Sequence, residues 1–393
     1  MNYFARAKEL MPEMAEARRY IHKNAEVGAE LPLAAAFVMK KLGEMGYEPR
    51  EICKSGVVAT IGKPGRCVLL RADMDALPMP EESGLPFASS NPLAAHTCGH
   101  DLHTAALLGT ARLLKENEQA LKGTVKLMFQ PGEEIFQGAR EMISHGVLEN
   151  PKVDAAFAGH VTPRYKTGNI AMRSGPAMAS CDFFRIKVKG KAAHGSVPNQ
   201  GVSPINIAVH IYLALQELIS REVNFQSGDG ASLTLGSFQA GNVPNTIPDD
   251  AVLLGTLRSF DEEERRFLLE RLRCVTEGTA KMFRGTAALE IMTAVPVEYN
   301  DPEFCGCVAR YFHELFGREA LEDSLIYGSE DFAFISERVP SVDLYVGAVH
   351  PGYDGPFYAS HHSKIVFDED AMAVSAALSA EVATRWLAEH GEV

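Results

Sequence analysis

The strongest constraint on the fold of this chain is the alternation of short apolar runs with helical segments in its first half. Four apolar runs lie at 56–61, 67–70, 124–129 and 155–158. The helical patterns between them lie at 105–118 and 136–145. Strands that alternate with helices form a mostly parallel sheet, and such sheets bind ligands where their strands end. We therefore predict an α/β domain, preceded by two helices between residues 3 and 46.

A different pattern begins near residue 179. The run 183–189 alternates apolar and polar residues, as a half-exposed antiparallel strand does. It is followed by a helix, two strands, a helix and a strand, at 204–221, 232–238, 251–258, 262–283 and 288–293. This β-α-β-β-α-β order is ferredoxin-like. We predict an α+β domain over 179–292, inserted into a catalytic α/β domain that comprises 1–178 and 293–393.

Composition narrows the classes of function. The formal net charge of −13 argues against nucleic-acid binding, which requires a basic surface. No apolar run approaches the roughly 18 residues of a membrane helix, and the first residues lack the pattern of a secretion signal. Seven cysteines without regular spacing fit reduced thiols better than disulfides. We expect a cytoplasmic protein that binds neither nucleic acid nor membrane.

The segment 96–103 (HTCGHDLH) contains one thiol, three imidazoles and one carboxylate within eight residues. Folding alone does not require so many metal-binding side chains in so short a stretch. Cys98 and His100 lie two residues apart, so both can point at one position from a turn or a strand end. Such a pair suits zinc, or another divalent ion that accepts nitrogen and sulfur together.

Further metal-binding side chains follow other predicted strands. Glu133 and Glu134 come just after a strand, and neighbouring side chains of an extended chain point in opposite directions. One carboxylate can therefore bind metal while the other faces the substrate as a base. His160 follows an apolar strand, and His361 and His362 lie before the final helix. Taken singly, each has an ordinary structural explanation, but together they would complete one or two metal sites.

Ten segments, in order along nearly the whole chain, identify a family. They are 18–22 (RRYIH), 71–78 (RADMDALP), 96–103 (HTCGHDLH), 130–134 (QPGEE), His160, 190–195 (GKAAHG), 241–248 (GNVPNTIP), 255–258 (GTLR), 328–332 (GSEDF) and His361. With these segments the chain resembles the aminoacylase/carboxypeptidase-type di-metal amidohydrolases. It is most similar to the branch of hippurate hydrolases, N-acyl-amino-acid amidohydrolases and auxin-conjugate hydrolases.

The resemblance implies a metal-dependent hydrolase that cleaves the amide bond of N-acyl amino acids, with acetyl, benzoyl or a similar acyl group. It implies two divalent ions, zinc or manganese, with cobalt or nickel as further candidates. The implied metal ligands are Cys98, His100, Glu134, His160 and His361. Glu133 would be the general acid/base that takes a proton from the metal-activated water and returns it to the leaving nitrogen.

The resemblance also implies roles for residues outside the metal site. His194 would stabilise the oxyanion, reaching the active site of the partner subunit of a homodimer formed through the inserted domain. Asn245 and Arg258 would hold the carboxylate and carbonyl groups of a small substrate. Asp75 and Asp101 would orient the imidazoles of the metal ligands.

Two departures from the family pattern bear on these assignments. Asp73 stands where peptidase branches have the histidine of a His-x-Asp motif, which favours an amidohydrolase over a carboxypeptidase. Ser363 replaces a frequent proline, so His362 remains an alternative ligand to His361.

Three other functions stay open. One is a dipeptidase or carboxypeptidase with the same di-metal centre, and another is a non-catalytic metal-binding protein. The third is an enzyme in which Cys98 is the nucleophile, which would keep its activity after metal removal.

Overall fold

A computed structural model describes residues 1–224, 230–323 and 325–391 of the chain. The chain divides into two compact units. The first comprises Met1–Gly175, Tyr299–Ser324 and Glu330–Val393. The second comprises Pro176–Glu298 and Leu325–Ser329.

Helices and strands alternate through most of the described chain. The α-helices are α1 (Tyr3–Glu9), α2 (Met11–Lys23), α3 (Pro32–Glu44), α4 (His100–Glu116), α5 (Gly138–Ser144), α6 (Pro204–Glu217), α7 (Glu262–Met282), α8 (Pro302–Phe316), α9 (Ala333–Ser336) and α10 (Ala371–His390). The strands are β1 (Arg50–Cys53), β2 (Gly56–Gly62), β3 (Cys67–Asp73), β4 (Thr124–Gln130), β5 (Ala155–Lys166), β6 (Ile170–Met172), β7 (Gly175–Met178), β8 (Cys181–Lys189), β9 (Ala193–His194), β10 (Ala231–Ala240), β11 (Thr246–Ile247), β12 (Asp250–Ser259), β13 (Thr286–Val295), β14 (Glu298–Asn300), β15 (Leu321–Glu322) and β16 (Ser341–Val349).

An eight-stranded sheet forms the centre of the first unit, in the order β1-β2-β4-β3-β5-β16-β6-β15. Its four central strands, β4, β3, β5 and β16, are mutually parallel, whereas β1-β2, β2-β4 and β16-β6 pair antiparallel. The sheet confirms the predicted α/β class with a mostly parallel sheet.

The burial of β3 explains why this sheet needs helices on both faces. All seven of its residues are buried, and successive side chains alternate between two apolar clusters. Val68 and Leu70 belong to the larger cluster, which includes residues of α4 and α10. Cys67 and Leu69 belong to the cluster on the other face, which includes residues of α5 and α9. The carboxyl end of β3 thus emerges from a buried interior that is apolar on both faces of the sheet.

The second unit has a four-stranded antiparallel sheet in the order β10-β12-β8-β13. Phe184, Ile186 and Val188 of β8 are buried, and they share an apolar core with residues of α6 and α7. The elements β8, α6, β10, β12, α7 and β13 follow in the β-α-β-β-α-β order read from the sequence. The alternating burial of β8 is the physical basis of that prediction, because only one face of the sheet is covered.

The structure differs from the sequence prediction at the N-terminus. The segment predicted as two helices forms three, because Leu10 separates α1 from α2. Pro12 lies in the first turn of α2, where a proline is tolerated, so the break has a sequence signal. Within the described ranges, no helix has the length and apolar composition to cross a bilayer.

Candidate metal centre

Cys98 and His100 are presented by the turn that begins α4. Gly99 between them has φ of +95°, a left-handed conformation that glycine adopts without strain. A Cβ atom there would also lie 2.3 Å from Cγ2 of Val161, so a larger residue would not fit. His100 is the first residue of the helix and is fully buried. The glycine therefore allows the two side chains to lie side by side in the interior.

The other three predicted ligands come from separate elements of the first unit. Glu134 follows β4, His160 lies within β5, and His361 lies in the loop before α10. The loop is held close to the α4 turn because the amide of His361 donates to the carbonyl oxygen of Thr97 at 3.0 Å. Strands β4 and β5 flank β3 in the sheet, so their residues meet at its carboxyl end.

The structure brings all five predicted ligands together in two groups. Donor atoms of Cys98, His100 and His160 lie within 4.8 Å of one another, and so do donor atoms of Cys98, Glu134 and His361. Sγ of Cys98 is 3.3 Å from Nε2 of His160, and Nε2 of His361 is 3.3 Å from Oε1 of Glu134. Ligands held about 2.0–2.3 Å from one zinc ion have similar spacings. Cys98 belongs to both groups, so one thiolate can contact two ions.

The polar atoms of this cluster fit bound cations. Both ring nitrogens of His100 and Oε1 of Glu134 are buried without a hydrogen-bond partner among the described residues. Buried polar atoms are rarely left without partners, because each loses its hydration on folding. A divalent ion satisfies such atoms, and a set of one thiolate, three imidazoles and one carboxylate suits zinc and its neighbours in the first transition row.

Glu133 lies beside this cluster and is 6% exposed. Burial raises its pKa well above the usual range, and the nearby carboxylates of Glu330, Glu134 and Asp331 raise it further. Its carboxyl group therefore holds a proton more readily than that of an exposed glutamate. A group that takes and returns a proton next to a bound water has the chemistry of a general acid/base.

Asp75 contacts the backbone of Glu133 and Glu134 and also lies beside the imidazole of His100. Its carboxylate accepts hydrogen bonds from the amide of Glu133 at 3.1 Å and from the amide of Glu134 at 3.0 Å. Its distance to Nδ1 of His100 is 3.5 Å. Asp75 thus sets the direction in which each of the two glutamates leaves the backbone.

Asp101 supports the site from further away. Its Oδ2 accepts from Nε of Arg18 at 2.7 Å and lies 2.8 Å from Nδ1 of His22. Arg18 and His22 belong to α2, and neither is a predicted metal ligand. Burial opposes the charge of Asp101, but Arg18 and His22 hold its pKa far below the usual range. The contacts connect the first turn of α4, which carries His100, to α2.

Arg71 lies in a network of buried charged and polar residues for which the sequence predicts no role. Its guanidinium lies 2.7 Å from Asp73, 2.8 Å from Glu330 and 3.3 Å from Asp331. Gln130 accepts from Nε of the same guanidinium at 2.9 Å. These four polar partners of Arg71 are buried, and two of them, Asp73 and Gln130, are the last residues of strands. Buried polar groups in such a place indicate a functional site, but their burial is visible only in the structure.

The remaining predicted site residues lie in the second unit. His194 is exposed in β9, and its Nδ1 is 2.7 Å from Oγ of Ser196. Asn245 directly precedes β11, which pairs with β9 through Thr246 and His194. Nη1 of Arg258 donates to the carbonyl oxygen of Tyr327 and to Oγ of Ser329, each at 2.9 Å. His194 and Asn245 are therefore neighbours, whereas Arg258 is anchored to the segment 325–329.

Comparisons with known proteins agree with this chemistry. The model for peptidase family M20/M25/M40 matches residues 69–385. An N-acetyl-L-cysteine deacetylase of Bacillus subtilis is 37% identical over 387 residues, which cover 98% of this chain and 90% of that protein. A hippurate hydrolase of Campylobacter jejuni is 33% identical over 98% of this chain and its own full length. A dinuclear metal-binding M20 peptidase from Bacillus subtilis, known from its crystal structure, has a TM-score of 0.84 at 33% identity and covers 97% of this chain and 99% of its own.

Proposed function

Because this chain belongs to peptidase family M20/M25/M40, we propose that it removes the acyl group from N-acyl amino acids as a metal-dependent amidohydrolase. The observation that carries the proposal is the pair of donor groups that share Cys98, with the protonatable Glu133 beside them. Two relatives are named for the release of an acyl group from an amino acid. We propose the same substrate class for this chain.

In the proposed reaction Cys98, His100, Glu134, His160 and His361 hold two divalent ions. Bound there, the ions would supply a water of lowered pKa and stabilise the charge on the carbonyl oxygen. We propose zinc or manganese as the bound ions, with cobalt or nickel as further candidates; among these, zinc suits the thiolate and imidazole donors well.

Glu133 would carry the proton between the two halves of the reaction. It accepts the proton of the attacking water and delivers it to the amide nitrogen, which leaves as a neutral amine. Its buried position supports this role, because a raised pKa lets one carboxyl group act as acceptor and then as donor near neutral pH.

We also propose roles in substrate binding for residues of the second unit. We assign His194 as a hydrogen-bond donor to the developing oxyanion, and Asn245 and Arg258 as contacts to the substrate carbonyl and carboxylate. The Arg258 guanidinium is already fixed through Nη1, which lowers the entropy lost when it binds a carboxylate.

We also propose that the protein is a homodimer formed through the second unit. Ile205, Val209, Tyr212 and Leu213 of α6 are between 39% and 56% exposed, and all four share one face of the helix. The neighbouring β10 is an edge strand of its sheet. An exposed apolar helix face beside an unpaired edge supports an interface with a second copy. The seven free thiols support a reducing compartment such as the cytoplasm.

Hydrolysis assays on matched substrates test the proposed function. The metal-free protein is reloaded with zinc, manganese or cobalt and offered N-acetyl, N-benzoyl and indoleacetyl amino acids beside unblocked dipeptides of the same residues. We expect hydrolysis of at least one acylated series, loss of activity with chelator, and inactivity of Glu133→Gln. Faster cleavage of the dipeptides would instead make the protein a peptidase. Activity that survives complete metal removal but not thiol alkylation would make Cys98 the nucleophile.

A further inference from the structure

We propose that His103 is a positioning residue that fixes the imidazole of His160 through the backbone of Val161. The inference rests on the proposed metal centre, because the positioning role explains why the imidazole of His160 points toward Cys98. His103 lies one turn after His100 on α4 and is 6% exposed. Every residue involved belongs to the first unit.

The first step concerns the point at which β3 ends. Strand β3 pairs with β5 from Val68–Ala155 to Arg71–Ala158, and the pairing stops there. Beyond that point the backbone of β5 has no β3 partner. The amide of Val161 instead donates to Nε2 of His103 at 2.8 Å. A side chain from α4 thus replaces the missing strand and satisfies a buried amide.

The second step fixes the ring of His103. Because Nε2 accepts a hydrogen bond, the ring proton lies on Nδ1, which donates to Oδ1 of Asp73 at 2.6 Å. Oδ2 of Asp73 accepts from Arg71 at 2.7 Å, and the hydroxyl of Thr104 donates to the Asp73 carbonyl oxygen at 2.8 Å. Both oxygens of the Asp73 carboxylate are therefore engaged as acceptors.

These two bonds also decide against a different role for His103. Donor atoms of Asp73, His100 and His103 lie close enough together to form a third group that could hold a cation. Both nitrogens of His103 are already engaged, at 2.6 Å and 2.8 Å, so the ring has no lone pair left for a metal ion. His103 supports a ligand and is not one itself.

The third step connects Val161 to the metal site. The carbonyl oxygen of Val161 lies 2.6 Å from Nδ1 of His160 and accepts its proton. The other ring nitrogen, Nε2, then carries the lone pair and faces Sγ of Cys98 at 3.3 Å. The amide of Val161 thus donates to His103, and the carbonyl oxygen of the same residue accepts from His160. Hydrogen bonds behind a ligand commonly set its orientation and tautomer.

Two variants of His103 test its two hydrogen bonds separately, the one to Asp73 and the one from the amide of Val161. In His103→Gln, the amide oxygen reaches the place of Nε2 and can accept from Val161. In His103→Asn, the shorter side chain reaches Asp73 only. We expect His103→Asn to weaken the binding of one of the two zinc ions about 10- to 100-fold, as loss of a residue behind a metal ligand commonly does. His103→Gln should stay within about threefold of the natural protein.

Zinc affinity is measured by chelator competition on the full-length protein, and the melting temperature of each metal-free variant is recorded in parallel. Equal melting temperatures with unequal affinities would be the expected result, because a general packing role would lower both variants alike. The inference is wrong if His103→Asn binds both ions as tightly as the natural protein. It is also wrong if both variants lose one ion outright, since His103 would then be a ligand.

Nitrogen chemical shifts of ¹⁵N-histidine in the natural, metal-free protein give a test that needs no variant. We expect the proton on Nδ1 in both His103 and His160, and a proton on Nε2 of His103 would overturn the inference. Neither experiment depends on turnover. A protein that binds two ions but hydrolyses no N-acyl amino acid would refute the proposed function and leave the positioning role intact. An active enzyme whose His103→Asn variant binds zinc normally would refute the positioning role and leave the proposed function intact.

Discussion

The two units of this protein prepare their functional residues in different ways. In the first unit, His100 and Glu133 are buried, and hydrogen bonds that the amides of Glu133 and Glu134 donate to Asp75 fix the backbone of the glutamate pair. In the second unit, His194 and Asn245 are exposed. Buried donors that lack partners imply a ligand that stays bound, whereas exposed donors suit a substrate that comes and goes. The difference fits the proposal that the first unit holds the metal ions and that residues of the second unit contact the substrate.

The largest expected effect comes from Glu133→Gln, which keeps the size of the side chain but removes its ability to carry a proton. The rate constant kcat should fall roughly 10³- to 10⁴-fold, which is the upper range for loss of a general acid/base. Metal content, measured by mass spectrometry, should not change. Glu134→Gln is the matched variant, because it should lose metal as well as activity. If Glu133→Gln kept most of its activity, the assignment of the acid/base would be wrong.

His194→Ala should show the contrasting behaviour of the second unit. We expect kcat to fall about 10²- to 10³-fold, as for removal of an oxyanion donor. Because the ring is exposed and, among the described residues, is hydrogen-bonded to Ser196 alone, the melting temperature and metal content should stay unchanged. His145→Ala removes another exposed histidine and is the control. A drop in metal content in His194→Ala would contradict the division of labour between the units.

Arg258→Lys should affect substrate binding more than turnover. A lysine keeps the charge but cannot maintain the bonds to Tyr327 and Ser329 while it also binds a carboxylate side-on. We expect KM to rise about 10-fold, which is equivalent to roughly 1.4 kcal/mol, with kcat reduced less. Initial-rate kinetics on an N-acyl amino acid and on its carboxyl-blocked ester or amide would check this. An equal effect on both substrates would rule out a contact with the carboxylate.

The smallest expected effect is a change in the free energy of unfolding with pH, caused by the ionisation of His22. Burial would lower the pKa of His22, but Asp101 and Glu81 outweigh burial and the repulsion of Arg18, raising it to about 9. His96, the other titratable group facing this ring, has its pKa lowered to about 3 by burial and is neutral. The folded protein thus binds the proton of His22 more tightly than the unfolded chain.

This proton contributes stability that is complete below about pH 6.5 and disappears as the pH rises through 9. The pKa difference corresponds to at most roughly 3 kcal/mol. Urea unfolding at several pH values should show the advantage of the natural protein over His22→Gln shrinking between pH 6.5 and 10. His145→Gln, at an exposed site, should show no such trend. An advantage that grows with pH would contradict the assignment.

Local patterns were enough to predict the architecture. The β-α-β-β-α-β order of the second unit follows from alternating burial along β8 and from the helical periods of α6 and α7. The fold class, the family and the activity as a metallo-amidohydrolase are confirmed. The boundary at Leu10 was missed, although Pro12 marks it. Short helical breaks are difficult to predict, because apolar spacing continues across them.

The site was predictable only in part. Cys98 and His100 stand out by local density, whereas Glu134, His160 and His361 were only joint candidates until the family resemblance assigned their roles, and these assignments stay predictions. Arg71 and Glu330 form a buried pair across 259 positions, and His103 bonds to Val161 across 58. Pairings over such distances depend on the sheet order and on where β3 ends, neither of which a single sequence states.

Anomalous diffraction from crystals of the zinc-loaded protein tests the central claim most directly. Two zinc peaks are expected, one among Cys98, His100 and His160 and one among Cys98, Glu134 and His361, with Sγ of Cys98 within bonding distance of both. The account would be contradicted by a single ion that leaves Cys98 unbound. It would also be contradicted by zinc at Asp73, His100 and His103 or at Glu133, Glu330 and Asp331, two of the three other groups of donors close enough to hold a cation.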